Sequence, residues 1–268
     1  MQRTHAEPRT APETVTYRTW IRTSRLYVFA AISVMALAGA SLTLVSAWFA
    51  LLLVPAALSG YIAVVLALTV WRLGPRGGNF QRRIHDLIVA RAAADPAGRG
   101  LDIGCGSGAL TIGLAKALPT VQVTGIDFWG ADWEYSKDQC ERNARMEGVA
   151  QRTTFVQQSA ASLQFDDATF DIVVSCLTFH EVRDVTDKSL VIAEALRVLR
   201  PGGRYVFLDL FADRSMFGSV LQVRTAITQA GASVAEIALL AAHLPLPFPL
   251  GGAKVLGHAM IISGAKPR

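Results

Sequence analysis

Carboxylates, closely spaced glycines and a histidine set the chemical question. The stretch from Arg99 to Thr111, RGLDIGCGSGALT, places Asp102 two residues ahead of Gly104, Gly106 and Gly108, which alternate over a span short enough for a strand end, a turn and a helix start. Glycines at such a turn accept unusual dihedrals and let a ligand approach bare backbone. In an open parallel sheet, ligands bind in the crevice at the carboxyl ends of the strands. A carboxylate at Asp102 suits a ligand bearing a cation better than it suits a pyrophosphate. Asp127, in VTGIDFWG, stands at the end of the next apolar strand, where a carboxylate takes both hydroxyls of a ribose. His180 and Glu181 follow a further apolar strand in FDIVVSCLTFHEV. An imidazole titrates near neutrality, so His180 is a candidate general base; the bland alternative is that it orients a loop or caps a helix. Glu181 is a second catalytic candidate, with pairing to an arginine as its alternative. Asp209 ends the following strand and faces the same end of the crevice.

The elements that position these residues alternate. Residues 79–94 read as a helix from the three-and-four spacing of Phe80, Ile84, Leu87, Ile88 and Arg91. Strands are predicted over 100–103, 121–126, 153–157, 170–175, 203–210, 234–240 and 254–263. Helices are predicted over 109–118, 133–147, 185–199 and 216–230, with Ser136 and Gln139 in capping-box spacing. Strands separated by helices make crossover units and a parallel sheet covered on both faces. The last two strands have no helix between them, which predicts an antiparallel edge. The fold class is therefore α/β, a Rossmann-like, doubly wound, seven-stranded and mostly parallel sheet with an antiparallel last strand.

Upstream the composition changes. Residues 26–71 contain no Asp, Glu, Lys or Arg. At about 20 apolar residues per crossing, that length suits two transmembrane helices joined by a short turn. The turn is expected between Ser41 and Trp48, with Pro55 near the start of the second helix and Gly39 and Gly60 where the helices approach. A buried hairpin of a soluble protein would keep a charged face. Residues 1–25 carry net +3 and residues 72–83 net +4, leaving −2 on residues 84–268. The basic excess flanks the apolar stretch, so it is no nucleic-acid footprint. By the positive-inside bias it puts both termini and the α/β domain on the cytoplasmic side of a cell membrane. The chain thus divides into a flexible basic tail (1–25), two membrane helices (26–72), a linker and leading helix (73–98) and the α/β domain (99–268). Cys105, Cys140 and Cys176 show no metal-ligand spacing and read as reduced thiols; no metal site is expected.

GCGSGA alone also fits a dinucleotide fingerprint with Ala109 in third place, which leaves an NAD-dependent oxidoreductase open. The whole set of motifs resembles the class I S-adenosylmethionine-dependent methyltransferases. LDIGCGSG looks like their glycine motif and GIDFWG like their ribose-binding acid. FDIVVSCLTFHEV is similar to their fourth-strand motif and EALRVLRPGGRYVFLD to their fifth strand with its Pro-Gly-Gly turn. The resemblance covers about residues 79–268. It implies S-adenosylmethionine as cofactor, with Gly104, Cys105 and Gly106 along its methionine part, Gly108 also among the cofactor-binding residues, and Asp102 near the sulfonium. Asp127 would hold the ribose, Phe128 would pack on the adenine and Cys176 would line the pocket floor. After the third strand the family often has Gly-Asp-Ala; here Gln158-Ser159-Ala160 leaves Ser159, Ala160 or backbone groups to meet the adenine. The expected acceptor is a small molecule or lipid, apolar or membrane-resident, with lipid contacts through residues 26–72. A catalytically silent membrane scaffold on the same fold is the rival from another class.

Overall fold

The computed structural model describes residues 14–93, 98–130 and 135–268. Trp133, where sequence spacing starts a helix, lies outside them. Seven strands form one sheet: β1 (Gly98–Ile103), β2 (Val121–Asp127), β3 (Thr153–Gln157), β4 (Phe170–Cys176), β5 (Leu199–Asp209), β6 (Ser233–Leu239) and β7 (Met260–Ala265). Their order is β3-β2-β1-β4-β5-β7-β6. Neighbouring strands from β3 to β5 are parallel, and β7 runs antiparallel to both β5 and β6. The last strand is antiparallel as expected, but it is inserted beside β5, and β6 forms the edge. Chain direction across the sheet reverses between β1 and β4, which opens a crevice at their carboxyl ends.

The helices are α1 (Thr23–Ala40), α2 (Leu53–Leu73), α3 (Phe80–Ala92), α4 (Ala109–Ala117), α5 (Lys137–Met146), α6 (Ser189–Arg197), α7 (Arg214–Phe217), α8 (Val220–Gln229) and α9 (Leu240–His243). Both sheet faces are covered. Ile172 and Val174 of β4 join Ile84 and Ile88 of α3 in one apolar layer, and Val173 joins Leu196 of α6 and Ile227 of α8 in the other. Continuous apolar runs in the sequence follow from burial on both sides.

Several elements differ from their sequence spacing; β5, expected from 203, starts already at Leu199. The helix expected over 185–199 spans only Ser189–Arg197, because the Lys188 ammonium donates to the Val182 and Val185 carbonyls and holds the preceding residues as a loop. The helix expected over 216–230 is broken at Gly218 (φ 70°, ψ −100°), after which Ser219 and Gln222 form a capping box that starts α8. The strand expected from 254 starts at Met260, since Val255, Leu256 and Gly257 donate into turns closing on Leu250 and Gly252. In α5, Ser136 accepts from the Gln139 amide as its cap.

Residues 26–71 form α1 and α2, joined by short 3-10 turns over 41–52, which begin at the expected Ser41 and run past Trp48. Two helices are long and apolar enough to cross a membrane, Thr23–Leu44 and Ala47–Leu73, and few of their residues are buried. Val34, Met35, Leu44, Val45 and Trp48 face outward. The helices pack closely at the two small residues singled out: a Cβ on Gly39 would lie 2.6 Å from Leu52 Cδ1, and one on Gly60 would lie 2.9 Å from Ser33 Oγ.

The described half of the N-terminal segment is not free. The Asn143 side chain pairs with both the amide (3.1 Å) and the carbonyl (2.9 Å) of Thr16, and the Arg18 amide donates to Ser107 Oγ at 3.3 Å. This strap corrects the expectation of a flexible tail for residues 14–22. The cause is that buried Asn143 and Gln81 find their polar partners in its backbone.

At the far end of α3, Arg91 makes a two-pronged pair with Glu236 of β6, at 2.7 and 2.9 Å. The Arg91 hydrogen bonds hold the Glu236 carboxyl below its usual range. Such a group stabilises the fold above its unfolded pKa, and the contribution disappears as pH falls through the lowered folded value. We expect Glu236→Gln to lower the unfolding free energy by about 1–2 kcal/mol at pH 7, with the difference shrinking toward pH 3 in denaturation curves.

Candidate active site

The carboxyl ends of β1, β2 and β4 open into a cavity of about 640 Å³. That size lies within the roughly 300–1,000 Å³ of small-molecule sites. Its floor starts at the glycine turn, where the amides of Gly104 and Cys105 both donate to the Ile126 carbonyl, at 2.8 and 2.9 Å. Gly104 has φ 79°, and a Cβ there would stand 2.0 Å from Thr178 Oγ1. Gly106 has φ 56°, and the Tyr135 ring lies at contact distance, 3.7 Å from where a Cβ would be. Gly108 does not line the cavity; it starts α4 (φ 84°), its bare face packed on Cys140 and Phe155.

Asp102 is fully buried in this floor. Thr111 Oγ1 donates to its Oδ2 at 2.6 Å, and Oδ1 has no partner among the described residues. Burial pushes its carboxyl up to about 7, the Thr111 bond working against the shift and the Asp127 charge with it. Asp127 accepts from the Gly106 amide at 2.8 Å and from the Trp129 amide at 3.0 Å. Burial raises its carboxyl as well, partly offset by those amides. A carboxylate offers roughly four acceptor sites, so capacity remains for two more donors. Trp129 braces the turn, its indole donating to the Gly106 carbonyl at 2.9 Å. Phe128 lies at the cavity edge, 65% exposed.

Past β3, Gln158, Ser159 and Ala160 line one side. Ser159 Oγ donates to Asp184 Oδ2, so the acid missing from 158–160 is brought to this edge by the loop after β4. Cys105 and Cys176 are buried in the floor, and burial pushes both thiols up.

On the β4–β5 side, His180 Nδ1 lies 2.6 Å from Asp209 Oδ1. Asp209 is fully buried and accepts from the amides of Phe179 (2.8 Å) and Leu210 (2.7 Å). Burial alone would lower the His180 imidazole, but the Asp209 charge and hydrogen bond, with Glu181 adding, carry it above its ordinary value. Glu181 Oε1 lies 3.8 Å from His180 Nε2, and its other oxygen 3.9 Å from Arg22 of the strap. The arrangement can take a proton at Nε2 while Asp209 holds Nδ1. Asp102, Gly104, Cys105, Gly106, Asp127, Phe128, Ser159, Ala160, Cys176, His180 and Glu181 thus share one cavity. The sequence reading missed the strap residues, Gln81 and His85 of α3, and Asp184. Nothing local in the sequence announces that these segments meet. Of the connector LPLPFPLGG, Leu244 and Leu250 are buried in the core and Phe248 is exposed.

Residues 101–207 match the family model described as the methyltransferase domain. A demethylmenaquinone methyltransferase from Staphylococcus aureus (strain JH9) is 41% identical over 112 residues, covering 41% of this chain and 42% of the relative. The chain thus spans under half the length of the curated relatives it matches. The solved geranyl diphosphate C-methyltransferase from Streptomyces coelicolor A3(2), in complex with Mg2+, geranyl diphosphate and S-adenosyl-L-homocysteine, superposes with a TM-score of 0.57 at 15% identity, covering 71% of this chain and 81% of that one. The [4+2]-cyclase SpnF gives 0.54 at 21%, covering 69% and 80%. These structures share the fold, and the presence of a cyclase among them leaves chemistry to be argued from the site. The matches support S-adenosylmethionine as the cofactor of this fold. The chain's own geometry fits it: bare backbone at 104–106, spare acceptor capacity on Asp127, and a half-unpaired buried acid at Asp102.

Because the folded pKa of Asp102 is raised to about 7, the folded state holds an extra proton between the usual carboxylate range and pH 7, and stability falls as pH rises through that window. Asp102→Asn removes this slope. We expect the variant to gain on the parent between pH 5 and pH 8 when unfolding midpoints are compared.

Proposed function

We propose that this chain is an S-adenosylmethionine-dependent methyltransferase, anchored by α1 and α2, that methylates an apolar, oxygen-bearing acceptor at the membrane surface. The observation that carries the reading is the 2.6 Å contact of His180 with buried Asp209, in the cavity that also holds the glycine turn and Asp127. When bound, S-adenosylmethionine supplies a methyl group on positively charged sulfur, which leaves as the neutral thioether.

The residues divide the remaining work. Gly104, Cys105 and Gly106 present backbone to the methionine part. Asp127 accepts from the ribose hydroxyls. Phe128 covers the adenine, and Ser159 with Asp184 faces its edge. Asp102 would lie beneath the sulfonium, whose positive charge favours the ionised form of an acid that burial otherwise holds up near 7. Asp209 accepts from His180 Nδ1–H, fixing the tautomer that leaves Nε2 free to take the proton of an acceptor hydroxyl. Glu181 restrains the ring from the other side. Holding donor and acceptor in line supplies the rest of the acceleration.

The relative named for demethylmenaquinone supports a quinone-like acceptor. The outward apolar side chains of α1 and α2 support a membrane anchor. Arginines on both outer flanks support a hairpin whose ends, with the α/β domain, lie on the cytoplasmic side.

Incubation with labelled S-adenosylmethionine and a native lipid extract tests the reading: label is expected in an extractable lipid, and label confined to water-soluble products would overturn the acceptor class. Asp127→Ala should weaken S-adenosylhomocysteine binding at least about a hundredfold by calorimetry, through loss of two charge-assisted bonds. The imidazole must be neutral to accept a proton, so kcat/KM should rise with pH through an inflection above the ordinary histidine value near 6.5. Asp209→Asn should move that inflection downward, and His180→Gln should remove it.

A further inference from the structure

The cavity walls do not all come from the α/β domain. Trp20 and Ile21 of the strap, Arg25 at the start of α1 and Leu73 at the end of α2 line the same space as His180. Trp20 and Ile21 pack with Leu73, Phe80 and Leu256 in one apolar cluster. Above them α3 presents Gln81 and His85, four residues apart and so on one helix face, both buried and both lining the cavity. The Trp20 ring stands edge-on to His85 at 5.7 Å. Gln81 Nε2 donates to the Arg18 carbonyl at 3.0 Å, while its Oε1 is buried without a partner among the described residues. Burial pushes the His85 imidazole down to about 4, so it is neutral and offers one donor and one acceptor nitrogen. Buried polar groups are ordinarily paired. Here an apolar wall carries a neutral imidazole and an unpaired amide oxygen at one end. At the other it runs into two apolar helices whose outer faces are bare. A molecule complementary to that wall has a hydroxylated head and an apolar tail.

Resting on the methyltransferase reading above, we propose that the hairpin flanks and α3 form the acceptor subsite, in which a hydroxylated amphiphile sits with its head between His85 and His180 and its tail along Trp20, Ile21 and Leu73 toward α1 and α2. The hairpin then builds part of the site as well as holding it at the bilayer. Arg25 at the margin of this wall faces the head-group layer, where a cation suits anionic lipid.

The test uses the full chain in phospholipid nanodiscs with a long-chain alkylphenol carrying a diazirine in its tail. After illumination, peptide mapping should place the label on Trp20, Ile21 or Leu73, and excess unlabelled long-chain alkylphenol should compete where phenol itself does not. Ile21→Glu sets a carboxylate in the path of the tail and should cut this labelling about tenfold, whereas Ile21→Leu should retain it. S-adenosylhomocysteine affinity, measured on the same nanodiscs, should be equal in parent and both variants. Label confined to outward residues such as Val34 and Met35, or unchanged in Ile21→Glu, overturns the subsite while leaving the methyltransferase reading intact. Absence of S-adenosylhomocysteine binding to the parent chain overturns that reading and the subsite with it.

Discussion

There is no room for a side chain at Gly104, and the site is arranged around that fact. A single methyl group there would sit 2.0 Å from Thr178 Oγ1, and the backbone is in a left-handed conformation. The turn after β1 therefore lies directly against the exit of β4. Since Thr178 leads into the short 3-10 turn Phe179–Glu181, the same contact delivers His180 to the space beside the glycines. The turn is equally committed to β2: the amides of Gly104 and Cys105 go to the Ile126 carbonyl and that of Gly106 to Asp127. Three strand exits become one rigid unit, with the indole of Trp129 closing it over the Gly106 carbonyl.

Asp102 within that unit and Asp209 at the end of neighbouring β5 are both fully buried and meet opposite surroundings. Asp102 has one hydroxyl donor and an oxygen left without a partner, and burial drives it toward the protonated form. Asp209 has two backbone amides and an imidazole around it, so both oxygens are occupied. One acid is left under-satisfied in the floor of the cavity. The other holds the His180 imidazole in place.

Much of this was legible in the chain. Apolar runs located the central strands, because burial on both faces leaves a strong compositional mark that the largely unburied edge strands β3 and β6 lack. Asp127 stood out because it ends such a run, Asp102 because it stands two residues ahead of the glycines, and His180 because it follows the fourth strand after a short segment. Helix ends were read less well. Gly218 splits what spacing alone joins, and Lys188 unwinds residues 182–187 through carbonyl contacts that spacing cannot reveal. The strap was read as a free tail, since residues 14–22 carry no sign that Asn143 and Gln81 need their backbone. Asp184 stayed invisible for a related reason: its meeting with Ser159 joins the loops after β3 and β4, a proximity created by the sheet.

The hairpin enters and leaves the α/β domain through two separate seams. On one side the strap is bonded to Ser107, Asn143 and Gln81 up to the residue before α1 begins, with Arg22 beside Glu181. On the other, Leu73 is part of the core and Gly77 packs so tightly on the Trp71 backbone that a Cβ would lie 1.9 Å from its carbonyl oxygen. A domain hung from one flexible leash tumbles over a hemisphere, and its opening meets the supporting surface only now and then. Two short, stitched seams act as a pair of hinges: swivel about a single stalk is lost, and the opening keeps one bearing toward whatever surface carries the helices. With the helices in a bilayer, as proposed, a search in three dimensions becomes lateral diffusion past a fixed doorway.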